Sequence, residues 1–440
     1  MAKKTSLIKW ALVFLVILFV LLIVVLSSLI PKEKHHAKVD YLAEYNKISK
    51  PADFNPNENA APYFDKAFEV MAEDANGEKK YVKLWPADMN DDQLRAVRQW
   101  LESNRQTLDY LKQAASKPYY WKLCRVNDNE PLMMADMNDL ALFRKGMYLL
   151  CMEAKLMAFE GQTEAAFNQL ADVYKTGTFF AGPMFLIQQL VGIAISAFAV
   201  QSAFQVLEHT SPSPAILEDF QRRITSLSSG QPFLTDFSAE KLILYDHIEK
   251  FLGGGRTSNE KSGLRIRDAI LTIFRHPWMI REKHRAERLF DYLDATKFKT
   301  PWQLHNEGND VHRVTDKMIK GTLFVRLLAP AFDRVLFISY RIQVQTDALI
   351  AVTTILRYKA DKGGYPQNLE ELVKAGYLDK LPADPFSGGA LVYKPTGDNF
   401  ILYSFAADFN DDGGKHSSDW AEKEGGDFVF WPVQQTKTSD

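Results

Sequence analysis

The sequence predicts a mainly α-helical protein with an N-terminal transmembrane helix, a helical-bundle body and a C-terminal α+β module. Three observations support this fold class. An unbroken apolar run covers 10–30, and apolar residues recur at helical spacing across 87–330. From 331 onward, one long helical pattern leads into a segment rich in proline and glycine, whose short alternating runs indicate antiparallel strands. We therefore expect a long helix packed on a small sheet at the C-terminus.

The apolar run at 10–30 has the length of a membrane span. About 20 helical residues, each rising about 1.5 Å, cross the roughly 30 Å of hydrocarbon in a bilayer. Three lysines precede the run and three follow it, the latter partly offset by Glu33: Lys3, Lys4 and Lys9, then Lys32, Lys34 and Lys38. Counting the free amino terminus, the basic bias places 1–9 in the cytoplasm. No small-residue cleavage site follows it, which favours an uncleaved signal anchor. The expectation is a single-pass membrane protein, with the bilayer as its partner through 10–30 and its bulk outside the cytoplasm.

Residues 31–86 are polar and punctuated by proline, as in a tether that leads into a globular part. The helical domain is expected over 87–330, where Asp91 or Asp92 would cap a helix and Gly161 would break an αα-hairpin of tetratricopeptide type. No second copy follows at a fixed period, so an array is not predicted. Further helices are expected near 63–72, 214–227, 239–251 and 284–293, and strands at 391–393, 400–403 and 428–430.

The stretch 176–207 contains no Lys, Arg, Asp or Glu and is long enough for a second membrane span. Five polar side chains are spread along it, and polar groups that face lipid are costly. These are Gln188, Gln189, Ser196, Gln201 and Ser202. We therefore favour a central helix buried on all sides of the helical domain, with a second span as the alternative.

Composition narrows the function classes. The net charge is −2, from 53 Lys and Arg against 55 Asp and Glu, which argues against a nucleic-acid binder. The two cysteines, Cys124 and Cys151, provide neither a disulfide framework nor a cysteine-rich metal site. A single bridge between them and two buried free thiols are both open at this point.

The most specific spacing lies near the C-terminus. Asp408, Asn410, Asp412 and Gly413 form D-x-N-x-D-G, and Asp419 falls at the twelfth position of the same count. Calcium takes about six to eight oxygen ligands, which short carboxylate and amide side chains around a glycine turn can supply. The flanks are strand and loop, so this is not an EF-hand. An acidic surface turn is the alternative interpretation, and the convergent carboxylates favour a structural Ca²⁺ site.

An ordered series of motifs runs through the same module. It consists of Tyr365-Pro366, Gly376-Tyr377-Leu378, Leu381-Pro382, Asp384-Pro385-Phe386, Tyr403-Ser404, Asp408 and Asp427. In this order, over roughly the last quarter of the chain, it resembles the C-terminal domain of the major (G-type) pseudopilin of type II secretion. The resemblance implies a calcium-binding module of that type over 331–440, with a pseudopilin-type sheet. Asp408 and Asp427 match the family's acidic positions, whereas Asn410, Asp412 and Asp419 come from spacing alone.

The N-terminus departs from that family. A prepilin carries a glycine cleavage site, an aromatic start and a glutamate early in its apolar run, and none of these occurs in 1–30. We therefore do not expect this chain to be processed and polymerised as a pilin. As a whole, the chain resembles uncharacterised membrane-anchored proteins of planctomycete-type bacteria, a resemblance that implies no known activity.

Two function classes follow. The first is a membrane-anchored extracytoplasmic scaffold or interaction protein with a calcium-stabilised pseudopilin-like head, with envelope or secretion proteins as partners. The alternative is an extracytoplasmic hydrolase with its active site in the helical domain. Glu240 and His247 share a helix face and could do acid–base work. His305, Asp310 and His312 could bind a transition metal. Ordinary structural roles are favoured for both sets, since no H-E-x-x-H or G-x-S-x-G motif accompanies them.

Overall fold

The structure is a computed structural model that describes residues 39–73, 78–127, 130–252, 266–322, 325–328, 332–417, 420 and 425–434. The predicted cytoplasmic tail at 1–9, the predicted anchor at 10–30 and Asp419 lie outside these residues.

The described chain is mainly α-helical with a small sheet near its C-terminus, as the sequence predicts. The helices up to the centre of the body are α1 (Tyr41–Ile48), α2 (Ala61–Glu69), α3 (Asp91–Ser103), α4 (Arg105–Ser116), α5 (Asp139–Phe159), α6 (Thr163–Thr178) and α7 (Leu186–His209). The later helices are α8 (Pro214–Ser228), α9 (Ser238–Leu252), α10 (Ile266–Thr296), α11 (Pro301–Asn306), α12 (Val311–Ile319), α13 (Val325–Leu328), α14 (Phe332–Lys362) and α15 (Leu369–Lys374). Short 3-10 turns occur at Pro56–Glu58, Glu78–Lys83, Pro86–Asp88, Leu132–Met134 and Ala406–Asp408.

Local signals set most helix ends. The residue that caps α3 is Asn90, not Asp91 or Asp92 as predicted. Asn90 Oδ1 accepts from Gln93 N at 2.9 Å, and Asn90 N donates to Gln93 Oε1 at 3.0 Å, so the two residues form a capping box. The predicted break between α5 and α6 is present at Gly161, where φ is 88°, a value that favours glycine.

Helix α7 packs at the centre of the body against α5, α6 and α14. A helix beginning at 176 was expected, and that start is wrong by ten residues. Thr178 ends α6, and the connection to α7 contains Gly182 at φ 80° followed by Pro183, two residues that do not continue a helix. Gly177 of α6 and Gly192 of α7 lie at the crossing of the two helices, where a Cβ on Gly192 would stand 2.5 Å from Gly177 O.

The sheet is antiparallel with the order β1-β2-β3, formed by Val392–Pro395, Phe400–Ser404 and Phe428–Trp431. A bulge interrupts the pairing of β2 with β3 between Leu402 and Tyr403. Helix α14 packs against β2 and β3. The sheet and the helical body share one apolar core, in which the rings of Phe204 on α7 and Phe430 on β3 lie 6.4 Å apart.

Two helices among the described residues have the length and apolar composition of a membrane span, namely α7 and the part of α14 from Arg334 to Lys362. In their most apolar windows, 67% and 61% of the residues are buried inside the fold.

Both cysteines are free thiols, so the free-thiol alternative is the one observed. Cys151 is buried in α5 and Cys124 is half-buried in the segment before it. Burial raises the pKa of each thiol to about 11, which keeps both protonated and unreactive at neutral pH.

Candidate functional site

The acidic loop begins at the end of β2, in a 3-10 turn whose backbone is strained. Ala406 and Phe409 adopt left-handed φ values of 56° and 61°, which non-glycine residues rarely do. Between them, Asp408 Oδ1 accepts from Asn410 N and Asp408 Oδ2 accepts from Gly426 N, each at 3.1 Å. The Asp408 carboxylate therefore links the residues that leave β2 to those that enter β3.

Asp427 stands directly before β3 and is fully buried. Its Oδ2 accepts from Gly414 N at 2.6 Å, whereas its Oδ1 is buried and accepts no hydrogen bond from the described residues. Burial raises the pKa of the Asp427 carboxyl, and the negative charges of Asp411 and Asp412 add to this against the backbone hydrogen bonds it accepts. An ionised oxygen buried without a donor is costly, so this carboxylate would be stabilised by a proton or by a cation.

The other members of the predicted set lie further out. Asn410 and Asp412 are exposed, and the Asn410 amide donates to Asp408 O at 3.0 Å. Asp411 accepts from Tyr403 OH at 2.8 Å and from Gly413 N at 2.9 Å, so it holds the loop against β2. The described part of the loop contains no group of three acidic, histidine or cysteine side chains arranged around a metal position. The structure thus brings Asp408 and Asp427 to the two ends of one loop, and calcium binding stays a prediction.

Glu240 and His247, the predicted acid–base pair, lie on α9. Glu240 is buried, and its Oε1 accepts from Leu186 N at 2.8 Å, at the N-terminus of α7. Burial raises the pKa of the Glu240 carboxyl, and this hydrogen bond opposes the rise. His247 is half-buried, and burial lowers the pKa of its imidazole with the charge of Asp246 opposing. Glu240 therefore has a structural role as a cap of the central helix.

One cavity of about 870 Å³ is lined by His305, Asp310 and His312, together with residues of the 3-10 turn in which the acidic loop begins. Each has a local contact. The His305 ring stacks on Phe409 with centroids 4.4 Å apart, and Asp310 caps α12. His312 is exposed, with its Nε2 3.7 Å from Asp316 Oδ2. His305 therefore contacts the sheet module, whereas Asp310 and His312 make their contacts within α12. No transition-metal cluster forms from the three within the described residues.

A cleft of about 910 Å³, which the sequence did not predict, lies between α8, α11, α14 and the module segment 376–389. Its least expected member is Asp347, an acidic residue within the apolar pattern of α14. That pattern break was the available signal. The segments that form the other walls of the cleft are distant from Asp347 in sequence, so helical periodicity alone could not predict that Asp347 lines a cleft.

Comparisons with family models, with curated proteins and with solved structures find no match for this chain. The resemblances described above therefore depend only on the residues that carry them.

Proposed function

We propose that the chain is a single-pass, membrane-anchored extracytoplasmic scaffold or interaction protein whose C-terminal module is a pseudopilin-like head stabilised by Ca²⁺. The apolar run 10–30 serves as the anchor in a bacterial inner membrane, and envelope or secretion proteins are the partners. The helical body positions the head, with which it shares an apolar core.

The observation that carries the proposal is the Asp427 carboxylate, which is fully buried and has one oxygen without a hydrogen-bond donor among the described residues. Asp427 and Asp408 accept backbone hydrogen bonds across the same loop, so a cation at this place would tie β3 to β2. Outside the cytoplasm weak calcium sites are useful, because extracellular modules bind Ca²⁺ with Kd values of about 10⁻⁴ to 10⁻³ M.

The calcium arm is tested by thermal unfolding of the full chain in detergent, in 1 mM CaCl₂ and in chelator. For a Kd of about 0.1 mM, binding adds RT ln(1 + [L]/Kd), or about 1.4 kcal/mol. Asp427→Asn should abolish this calcium shift without destabilising the protein in chelator, since the amide oxygen can still accept from Gly414 N. Asp398→Asn, at an exposed position in the turn between β1 and β2, is the matched control and should keep the full shift. Equal melting of the wild type in both buffers would remove calcium from the proposal.

The scaffold arm is tested by purifying the tagged chain from native membranes. Stable partners should be recovered with calcium present and reduced in chelator. Recovery of the chain alone under every detergent and salt condition would contradict a scaffold. Protease added to intact spheroplasts should remove the C-terminal module, and protection of that module would contradict the single-pass topology.

The hydrolase alternative has weaker support. Glu240 caps α7 through Leu186 N, and His305 stacks on Phe409, so one member of each predicted set already serves packing.

A further inference from the structure

One face of α14 forms a wall of the cleft of about 910 Å³ between the helical body and the sheet module. The residues that α14 contributes follow helical spacing and include Ser339, Gln343, Thr346, Asp347 and Ile350. Helix α8 and the loop 228–234 line the cleft from the body, and 376–385 lines it from the module. Helix α11 also borders it, where Trp302 N donates to Pro385 O at 3.1 Å. Clefts of this size between packed units are common ligand sites, which typically measure about 300 to 1,000 Å³.

Asp347 has no hydrogen-bond donor for its carboxylate among the described residues. The neighbouring Thr346 hydroxyl donates to Ile342 O at 2.9 Å and lies 3.2 Å from Tyr174 OH, so it is already engaged. Burial raises the pKa of the Asp347 carboxyl to about 6, and the charge of Lys380 opposes the rise. At neutral pH this carboxylate is therefore mostly ionised, and it lies half-buried in the wall of the cleft.

The other charges that face the cleft are Glu218, Arg222, Arg357, Asp379, Lys380 and Asp384. Four of them are engaged elsewhere. Glu218 pairs with Arg357 at 2.9 Å, Arg222 pairs with Asp219, and Asp384 accepts hydrogen bonds from the module, including one from Ser404 Oγ. Asp379 and Lys380 are exposed. Within the described cleft, Asp347 is thus a half-buried acid whose carboxylate accepts no hydrogen bond, and Lys380 is the cation whose charge acts on it.

Aromatic rings also line the cleft. Tyr174, Tyr340 and Trp302 come from α6, α14 and α11, and the Trp302 ring lies against Gly388, where a Cβ would stand 2.6 Å from it. A desolvated carboxylate among aromatic faces favours an organic cation, because the charge gains a partner and the rings attract the alkylammonium group. A neutral ligand would leave the Asp347 carboxylate without a second charged partner, and this carboxylate would repel an anion. A metal ion would want several more anionic ligands than Asp347 alone provides.

We propose that this cleft binds an alkylammonium ligand, whose ammonium group pairs with the Asp347 carboxylate between the helical body and the sheet module. The same chemistry has two sources, a free polyamine or a lysine side chain of a peptide. This inference does not depend on the calcium site or on the scaffold function.

The experiment is isothermal titration calorimetry on the full chain in detergent at pH 7.5, with three probes. Spermidine represents a free polyamine, end-capped trilysine represents a peptide, and Nε-acetylated trilysine is the uncharged control. At least one cationic probe should bind the wild type, and the acetylated peptide should not. Binding should weaken about tenfold at pH 5.0, because a carboxyl with a pKa near 6 is then about nine-tenths protonated.

Asp347→Asn should lower the affinity at least tenfold at pH 7.5 and remove its pH dependence below pH 7. The variant removes a buried charge and should fold at least as stably as the wild type, so lost binding would not reflect misfolding. Asp379→Asn, at an exposed position in the wall of the same cleft, is the matched control and should bind like the wild type. Spermidine binding alone would identify a polyamine site, and preferential trilysine binding would identify a peptide site. Absence of binding by both cations, equal binding of the acetylated peptide, or unchanged affinity in Asp347→Asn would overturn the inference.

Discussion

Replacing Gly192 with alanine should force apart the two central helices of the body. The added Cβ would stand 2.5 Å from Gly177 O and 2.8 Å from Phe180 Cβ. Backbone oxygens and Cβ atoms cannot yield by changing rotamer, so α6 and α7 must separate by several tenths of an ångström. Both helices lie in the main apolar core, and the separation would loosen the packing along the whole crossing.

The magnitude is a balance of two opposing effects. Overpacking a well-packed core costs about 1 to 3 kcal/mol, and a clash with backbone belongs at the upper end. Alanine in place of glycine within a helix contributes about 1 kcal/mol of stability. The net expectation for Gly192→Ala is a loss of about 2 kcal/mol in the free energy of unfolding.

Gly146→Ala in α5 is the matched control. Its Cβ would meet the Leu111 Cδ1 methyl at 3.0 Å, at the far end of a flexible side chain. The helix-propensity gain should therefore dominate, and Gly146→Ala should be neutral or slightly stabilising. Urea unfolding followed by far-UV circular dichroism measures both variants. If Gly192→Ala unfolds at the same or higher urea concentration than the wild type, the close approach of α6 and α7 is wrong.

Three further predictions concern buried charged groups. Asp384→Ala should lower the free energy of unfolding by about 2 to 4 kcal/mol, because the buried carboxylate accepts hydrogen bonds from Ser404 Oγ and from two backbone N–H groups. Thermal unfolding measures this change, and an unchanged melting temperature would contradict the prediction. The free energy of unfolding of Asp347→Asn should rise relative to that of the wild type between about pH 4 and pH 7, because the pKa of the Asp347 carboxyl in the folded protein is about 6 and its ordinary value is 3.8. The difference between the two proteins is at most about 3 kcal/mol, and solvent in the cleft makes it smaller. Burial lowers the pKa of Lys155 to about 8, so the free energy of unfolding of the wild type should rise relative to that of Lys155→Met between about pH 8 and pH 10.5. If the free energies of unfolding of the two proteins depend on pH in the same way over this range, the prediction is wrong.

Where the sequence predicted elements well, the signals were local. Helix α8 was expected at 214–227 and occupies Pro214–Ser228, because Pro214 stands at its first turn and Ser213 Oγ accepts from Ile216 N at 3.4 Å. The predicted strands at 400–403 and 428–430 each lie within one residue of β2 and β3. Short alternating runs between glycine and proline turns contain most of what is needed to place a strand.

The parts that could not be predicted depend on residues distant in sequence. Asp347 becomes a cleft residue only because α8, α11 and the module fold over α14. The Oδ1 atom of Asp427 is buried without a hydrogen-bond donor among the described residues, and no spacing rule predicts that burial. The acidic spacing singles out Asp408 as a calcium ligand, which stays a prediction, whereas the backbone donors that hold its carboxylate, such as Gly426 N, depend on tertiary structure.

Hydropathy alone cannot distinguish a membrane span from the central helix of a body, and α7 illustrates why. Its polar side chains are satisfied by neighbouring segments: Ser196 Oγ donates to Tyr174 O at 3.1 Å, and Gln189 Nε2 donates to Asp236 O at 2.7 Å. A bilayer around α7 would remove these acceptors and leave the groups unpaired in hydrocarbon. The packing of α7 thus favours a buried central helix of the body over a membrane span.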